Sequence, residues 1–258
     1  MYDRGMRVYW LAALAAVAAG SARPEGVAVR WAEGTVHGFV ELHAPSNALI
    51  ARGDLFQVPR DSDIKSELVF HFADSSLFQE TVTFSQHQIF RLESYHLVQR
   101  GKAFAQDLDA TFTQDGNYVV KTTSHDDGKQ KEYTGKLDLP SDTYNGLIPV
   151  IGKNVDRQTG RSVHIVAFTP KPLVIPLAFV PAEIESGVVQ FTLKPKLNFL
   201  QKIGAALKRQ TPPDSHLWIL TDGAPTFLRF EGPLYSGPVW RIDLTTPPCW
   251  SDCKEKGR

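Results

Sequence analysis

Residues 68–84 read LVFHFADSSLFQETVTF, and the period of this stretch decides the fold. Leu68, Phe70 and Phe72 alternate with Val69 and His71 before Asp74-Ser75-Ser76 breaks the run. Phe78, Val82 and Phe84 then share a face, with Glu80 standing where the apolar row calls for another hydrophobe. A period of two puts alternate side chains on one side of a pleated strand. So short a connection leaves no room for a crossover helix, and the two strands must pair antiparallel.

The same period runs outward from about residue 34 to 137. Phe90, Leu92 and Val98 fall on one face, with Ser94 and His96 between them. Leu108, Ala110 and Phe112 follow, then Asp115-Gly116, then Tyr118 and Val120, and Asp126-Asp127-Gly128 precedes a polar run from Lys129 to Lys136. Asp-Gly pairs suit tight hairpins because glycine takes positive φ without a Cβ clash. These patterns predict a meander of about six strands before residue 140, with one wet face. Strand-like patterns return at 162–168, 173–184, 188–193, 216–221, 226–231 and 239–244, with turns at Asp222-Gly223, Gly232-Pro233 and Gly237-Pro238.

Two short helices are expected. Ser141 could cap one beginning at Asp142, with Leu147, Ile148 and Ile151 on its apolar side and Pro149 keeping it short or kinked. Leu197, Leu200, Ile203, Ala206 and Leu207 recur at helical spacing in the second, Lys196 to Lys208, which Pro212-Pro213 ends. The expected fold class is mainly β: a curved antiparallel sheet forming an open or partly closed β-barrel, with two short helices.

Composition sets the remaining bounds. The 258 residues carry 28 Lys+Arg against 28 Asp+Glu, so no excess positive field would hold a phosphate backbone and nucleic acid is not an expected partner. Residues 1–22 read as a secretory signal: Arg4 and Arg7, an apolar run from Val8 to Ala19, then Gly20-Ser21-Ala22 for cleavage. Residues 23–246 form a single β-rich domain in this reading, and 247–258 a polar tail. The oiliest later stretch, Leu173 to Val180, is interrupted by Pro176 and flanked by Pro172 and Pro181, so no stable membrane span is expected in the mature chain. The expected location is periplasmic or secreted.

The sequence holds no Gly-x-Ser-x-Gly elbow, no glycine-rich phosphate loop and no dinucleotide fingerprint, so no cofactor is implied. None of the eight histidines makes the His-Glu-x-x-His spacing of a helical metal site. Cys249 and Cys253, in the polar tail, fit a local disulfide in an oxidising compartment, with metal or redox roles as alternatives. Glu80 and His96 interrupt apolar faces, and a buried carboxyl or imidazole must be paired or shift toward its neutral form. Both are candidate polar anchors in a ligand cavity, or an acid/base pair on adjacent strands; the bland alternative is that Glu80 reaches the sheet edge and His96 bonds a neighbour.

Residues 77–84, Leu92 to Leu97, Asp138-Leu139-Pro140, Asn145-Gly146-Leu147, His216 to Leu220 and Glu231 to Tyr235 resemble segments of a group of uncharacterised exported bacterial proteins. That group is similar in turn to exported domains whose expected fold is a curved antiparallel sheet like that of the outer-membrane lipoprotein carriers. The resemblance implies a fold able to hold acyl chains and brings no catalytic residues with it.

Three functions follow from these readings. The first is a non-enzymatic protein binding an apolar or amphipathic, lipid-like molecule in a cavity lined by Phe70, Phe72, Glu80, Phe84, Phe90, Leu92, His96 and Phe112, with 196–208 as a lid. The second is a structural or interaction module that docks an envelope protein. The third is a periplasmic hydrolase or lyase using Glu80 and His96.

Overall fold

In the computed structural model the residues described are 26–168, 172–185, 187–196, 214–235 and 237–245. Eight strands come first: β1 (Val36–His43), β2 (Leu49–Arg60), β3 (Asp63–Phe72), β4 (Leu77–Gln86), β5 (Phe90–Arg100), β6 (Gln106–Thr113), β7 (Asn117–Ser124) and β8 (Gln130–Lys136). A single helix among the described residues, α1 (Ile148–Asn154), separates them from β9 (Arg161–Ala167), β10 (Leu173–Glu185), β11 (Val188–Pro195), β12 (Ser215–Leu220), β13 (Thr226–Gly232) and β14 (Trp240–Thr245). All fourteen belong to one sheet, in the order β8-β7-β6-β5-β4-β3-β2-β1-β14-β13-β12-β11-β10-β9. Every pairing is antiparallel, and each except β1 with β14 joins strands consecutive in the chain. The sheet is not closed: β8 and β9 are its two ends.

Eight strands rather than six precede residue 140. The two additional ones, β1 and β2, carry Gly38, Gly53, Glu41, Arg52 and Asp54, which dilute the apolar alternation that marks β3 and β4. Those glycines do not break the sheet, because their neighbours supply the buried rungs: Val40, Leu42 and Ala51. The helix also begins later than expected. It starts at Ile148, with Leu147 at its N-cap position and Pro149 in its first turn, where proline's missing N–H costs nothing. Ser141 lies well before the helix and is not its N-cap; residues 141–147 form turns, with Thr143 bridged in parallel to His164 of β9. The second candidate helix, 196–208, lies outside the described residues apart from Lys196, as do the signal segment, Cys249 and Cys253.

One irregularity governs the site. β4 and β5 pair residue for residue from Leu77↔Arg100 to Thr83↔Ser94, and then Phe84 meets Leu92, leaving Glu93 as an extra residue. A β-bulge of this kind resets which side chains face which way. Phe90 and Leu92 are buried on one side of it, and beyond it the inward set becomes Tyr95, Leu97 and Gln99, with Val98 buried between the last two but outside the core cluster. His96 is thereby turned to the outer face.

One apolar cluster runs through the molecule, with Phe70, Phe78, Phe84, Phe90, Phe112, Phe179, Phe191, Tyr144, Leu147 and Ile151 among its fully buried members. Rings from distant parts of the chain meet in it: Phe168, just after β9, lies 5.8 Å from Tyr95 and 6.0 Å from Phe112. The helix packs against β12, where a Cβ on Gly152 would overlap Leu217. Residues 26–33 are tied on by Asn154, whose Oδ1 accepts the amides of Arg30 and Trp31, and by a buried Glu33 carboxylate that pairs with Lys153 and accepts from Gln57. No helix among the described residues is long and apolar enough to cross a membrane.

Candidate functional site

The inner face carries a pocket of about 130 Å³. Its walls are Val40, Leu55, Ser66, Leu68, Phe78, Glu80, Val82, Phe227, Phe230 and Ile242 from six strands, with Ile148 and Pro149 from the start of α1 and Gly146 and Leu234 from the connections. The local sequence explains the arrangement. Even-numbered residues of β4 face inward, so the alternation that buries Phe78, Val82 and Phe84 also carries Glu80 inward. Opposite it the bulge delivers Tyr95, whose hydroxyl donates to Glu80 Oε1 at 2.6 Å.

The connection between β8 and α1 closes over this pair. Asn145 clamps β9 through both amide atoms: Oδ1 accepts the Val166 amide at 2.7 Å and Nδ2 donates to the Val166 carbonyl at 2.9 Å. The next residue, Gly146, has φ +70, and a Cβ there would lie 3.3 Å from the carboxyl carbon of Glu80 and 3.3 Å from the Tyr95 ring. Glycine is therefore required twice over, for its backbone angle and for its lack of bulk. Tyr144 anchors the same loop: its buried hydroxyl donates to the Phe90 carbonyl at 3.0 Å and accepts the Val27 amide at 2.8 Å.

Burial pushes the Glu80 carboxyl up to about 7, and the Tyr95 hydrogen bond opposes that rise only in part. The Tyr95 hydroxyl is itself driven well above its ordinary range, first by burial and then by the Glu80 charge beside it. Glu80 keeps some accessible area because it lines the pocket. No family model, no curated protein and no solved structure matches this chain.

The sequence-predicted residues part company in the structure. Glu80 lines the pocket, while Phe70, Phe84, Phe90 and Phe112 are packed into the core at 1 % exposure or less. Phe72 sits at the edge of that core against Phe104 and Trp240, and Leu92 is buried beside an open, polar groove. His96 is on the opposite face of the sheet, exposed and bonded through Nε2 to Asp109 at 2.9 Å. Glu80 pairs with Leu97 across the ladder and His96 with Thr81, so the two point to opposite sides and form no acid/base pair. Sequence reading missed Tyr95, Phe230 and Leu234. The signal for Tyr95 was present: apolar residues sit at even positions through Leu92 and at odd positions at Tyr95 and Leu97, a switch that one extra residue produces.

The polar groove is larger, about 690 Å³, and is bordered by Arg91, Gln114, Asp115, Asp138, Ser141, Thr143 and His164. His164 Nδ1 bonds the buried carboxylate of Asp142 at 2.6 Å. That contact adds to the backbone bonds of Tyr144 to His164 and of His164 to Asp142, which fasten the loop along β9.

Proposed function

We propose that this chain is an exported, non-enzymatic protein that binds the end of an apolar or amphipathic, lipid-like molecule in the pocket beneath Gly146. The observation that carries this reading is a pocket with apolar walls and a single ionisable group, Glu80, fixed by Tyr95. Ligand sites combine mostly apolar walls with a few polar anchors. At about 130 Å³ it is smaller than the roughly 300–1,000 Å³ of sites for drug-sized ligands, so it suits one ring or a chain end, not a whole lipid.

The curved, barrel-like form of the sheet belongs to the same proposal. Residues of β4, β3, β2, β1, β14 and β13 all border the one pocket. Neighbouring strands are about 4.8 Å apart, so six of them laid flat would extend roughly 24 Å, far beyond the reach of so small a space. The approach of Phe168, next to β9, to Tyr95 on β5 points the same way.

Native mass spectrometry of the protein taken gently from its own compartment tests the reading. The expected result is a retained apolar mass that is lost from a Leu68→Trp variant, whose indole fills the pocket. A bare polypeptide that also takes up no apolar compound on titration overturns it. A second reading, an interaction module for an envelope protein, has one observation in its favour. Phe56 and Val58 are exposed on the outer face, with His37 stacked on Phe56 at 4.1 Å.

A further inference from the structure

The pocket holds an acceptor that the chain leaves without a partner. Glu80 Oε1 takes the Tyr95 hydroxyl, whereas Oε2 bonds no group among the described residues and is not sealed away from the pocket's space. Glu80 is the one residue of the lining that titrates. Tyr95 on β5 is the titratable group against it, Tyr235 acts on Tyr95 in turn, and among the described residues no Lys, Arg or His joins the lining from β1, β2, β3, β13, β14, α1 or the turn at Gly146. Buried carboxylates are otherwise paired with cations or fully hydrogen-bonded. Glu80 has neither: it holds its proton to about pH 7 instead, and once ionised it lacks a positive charge and at least one donor. An alcohol supplies the donor but not the charge; an ammonium group supplies both.

We propose that the pocket's ligand is a small apolar amine, whose ammonium group meets the free oxygen of Glu80 while its hydrocarbon body lies against Phe78, Phe227 and Phe230. The inference rests on the reading of this pocket as a ligand site and narrows the ligand's chemistry. Size restricts it further, since apolar cavities of about 150 Å³ take up benzene. One ring, or an alkyl group of similar bulk, is the largest body that fits in about 130 Å³.

A calorimetric titration of the full chain with benzylamine, benzyl alcohol and toluene, at about pH 6 and about pH 8, tests this. An alkylamine stays protonated across that interval, while a carboxyl titrating near 7 goes from roughly one-tenth to roughly nine-tenths ionised. Benzylamine should therefore bind about ten times more tightly at the higher pH. Toluene and benzyl alcohol should show no such gain. Glu80→Gln should abolish the pH dependence and the preference for the amine, and its continued uptake of toluene would show that the variant is folded. Binding of toluene and benzyl alcohol with no advantage for benzylamine overturns the amine inference and leaves the pocket reading standing. Failure of all three to bind overturns the pocket reading itself, and the amine inference with it.

Discussion

Glu80 keeps its proton in the folded protein to about pH 7, whereas an unfolded glutamate releases it near 4.5. A carboxyl raised in this way contributes stability that is complete below the unfolded value and is lost as pH rises through the folded one. The shift of roughly 2.5 units corresponds to about 3 kcal/mol. Glu80→Gln removes that dependence. Urea titrations should show the variant gaining on the wild type by about that amount between about pH 4.5 and about pH 8. Parallel stability curves would mean that the carboxyl is well hydrated in solution. Tyr144 offers a second test at this scale, because its hydroxyl is fully buried and serves two backbone partners. Tyr144→Phe leaves the Val27 amide without an acceptor and should cost about 2 kcal/mol, read from the same titrations. A loss of a few tenths would show that water replaces the hydroxyl.

At the scale of the element, the bulge at Glu93 decides which residues in the second half of β5 face the core. Inserting one alanine between Ser94 and Tyr95 would send Tyr95 and Leu97 outward and bring His96 in. The expected outcome is loss of the cooperative thermal transition in circular dichroism, whereas deletion of Glu93, which keeps both faces in phase, should leave a cooperative transition. A cooperative, native-like melt from the insertion would show that the register is free to slip. This element also shows what one sequence makes legible. The strands from β3 onward were readable because Leu68, Phe70 and Phe72, and then Phe78, Val82 and Phe84, recur at even positions. Glu80 stood out as the exception within that repeat. His96 was misplaced because the face of a residue follows from the count along its strand, and one extra residue upstream reverses every later assignment. Part of the pocket's lining was illegible for another reason: Phe227, Phe230, Leu234 and Ile242 lie more than a hundred residues from Glu80, and only the strand order brings them together.

At the scale of the molecule, an open sheet must protect two edges from pairing with other chains. β9 is partly covered, since the 142–144 segment lies beside it and exchanges backbone bonds with His164. β8 relies on charge: Lys131, Glu132 and Lys136 leave its edge polar and exposed. Replacing these three by valine should yield dimers and larger species in sedimentation velocity, at concentrations where the wild type sediments as one species. Identical profiles would show that the edge is protected by something other than its side chains.

The seam between β1 and β14 joins residues as far apart as Phe39 and Thr245, 206 positions along the chain, while every other rung of the ladder joins consecutive strands. Hairpins between consecutive strands can form as soon as the ribosome releases them, but β1 must wait for β14, the last of the described strands. Until Trp240 to Thr245 have been made, Val36 to His43 present one bare row of amides and carbonyls to whatever is nearby. A stop codon anywhere between β1 and β14 would leave that row open for good. The fragments should be sticky in proportion to their lifetime, and only the finished polypeptide carries its own stopper.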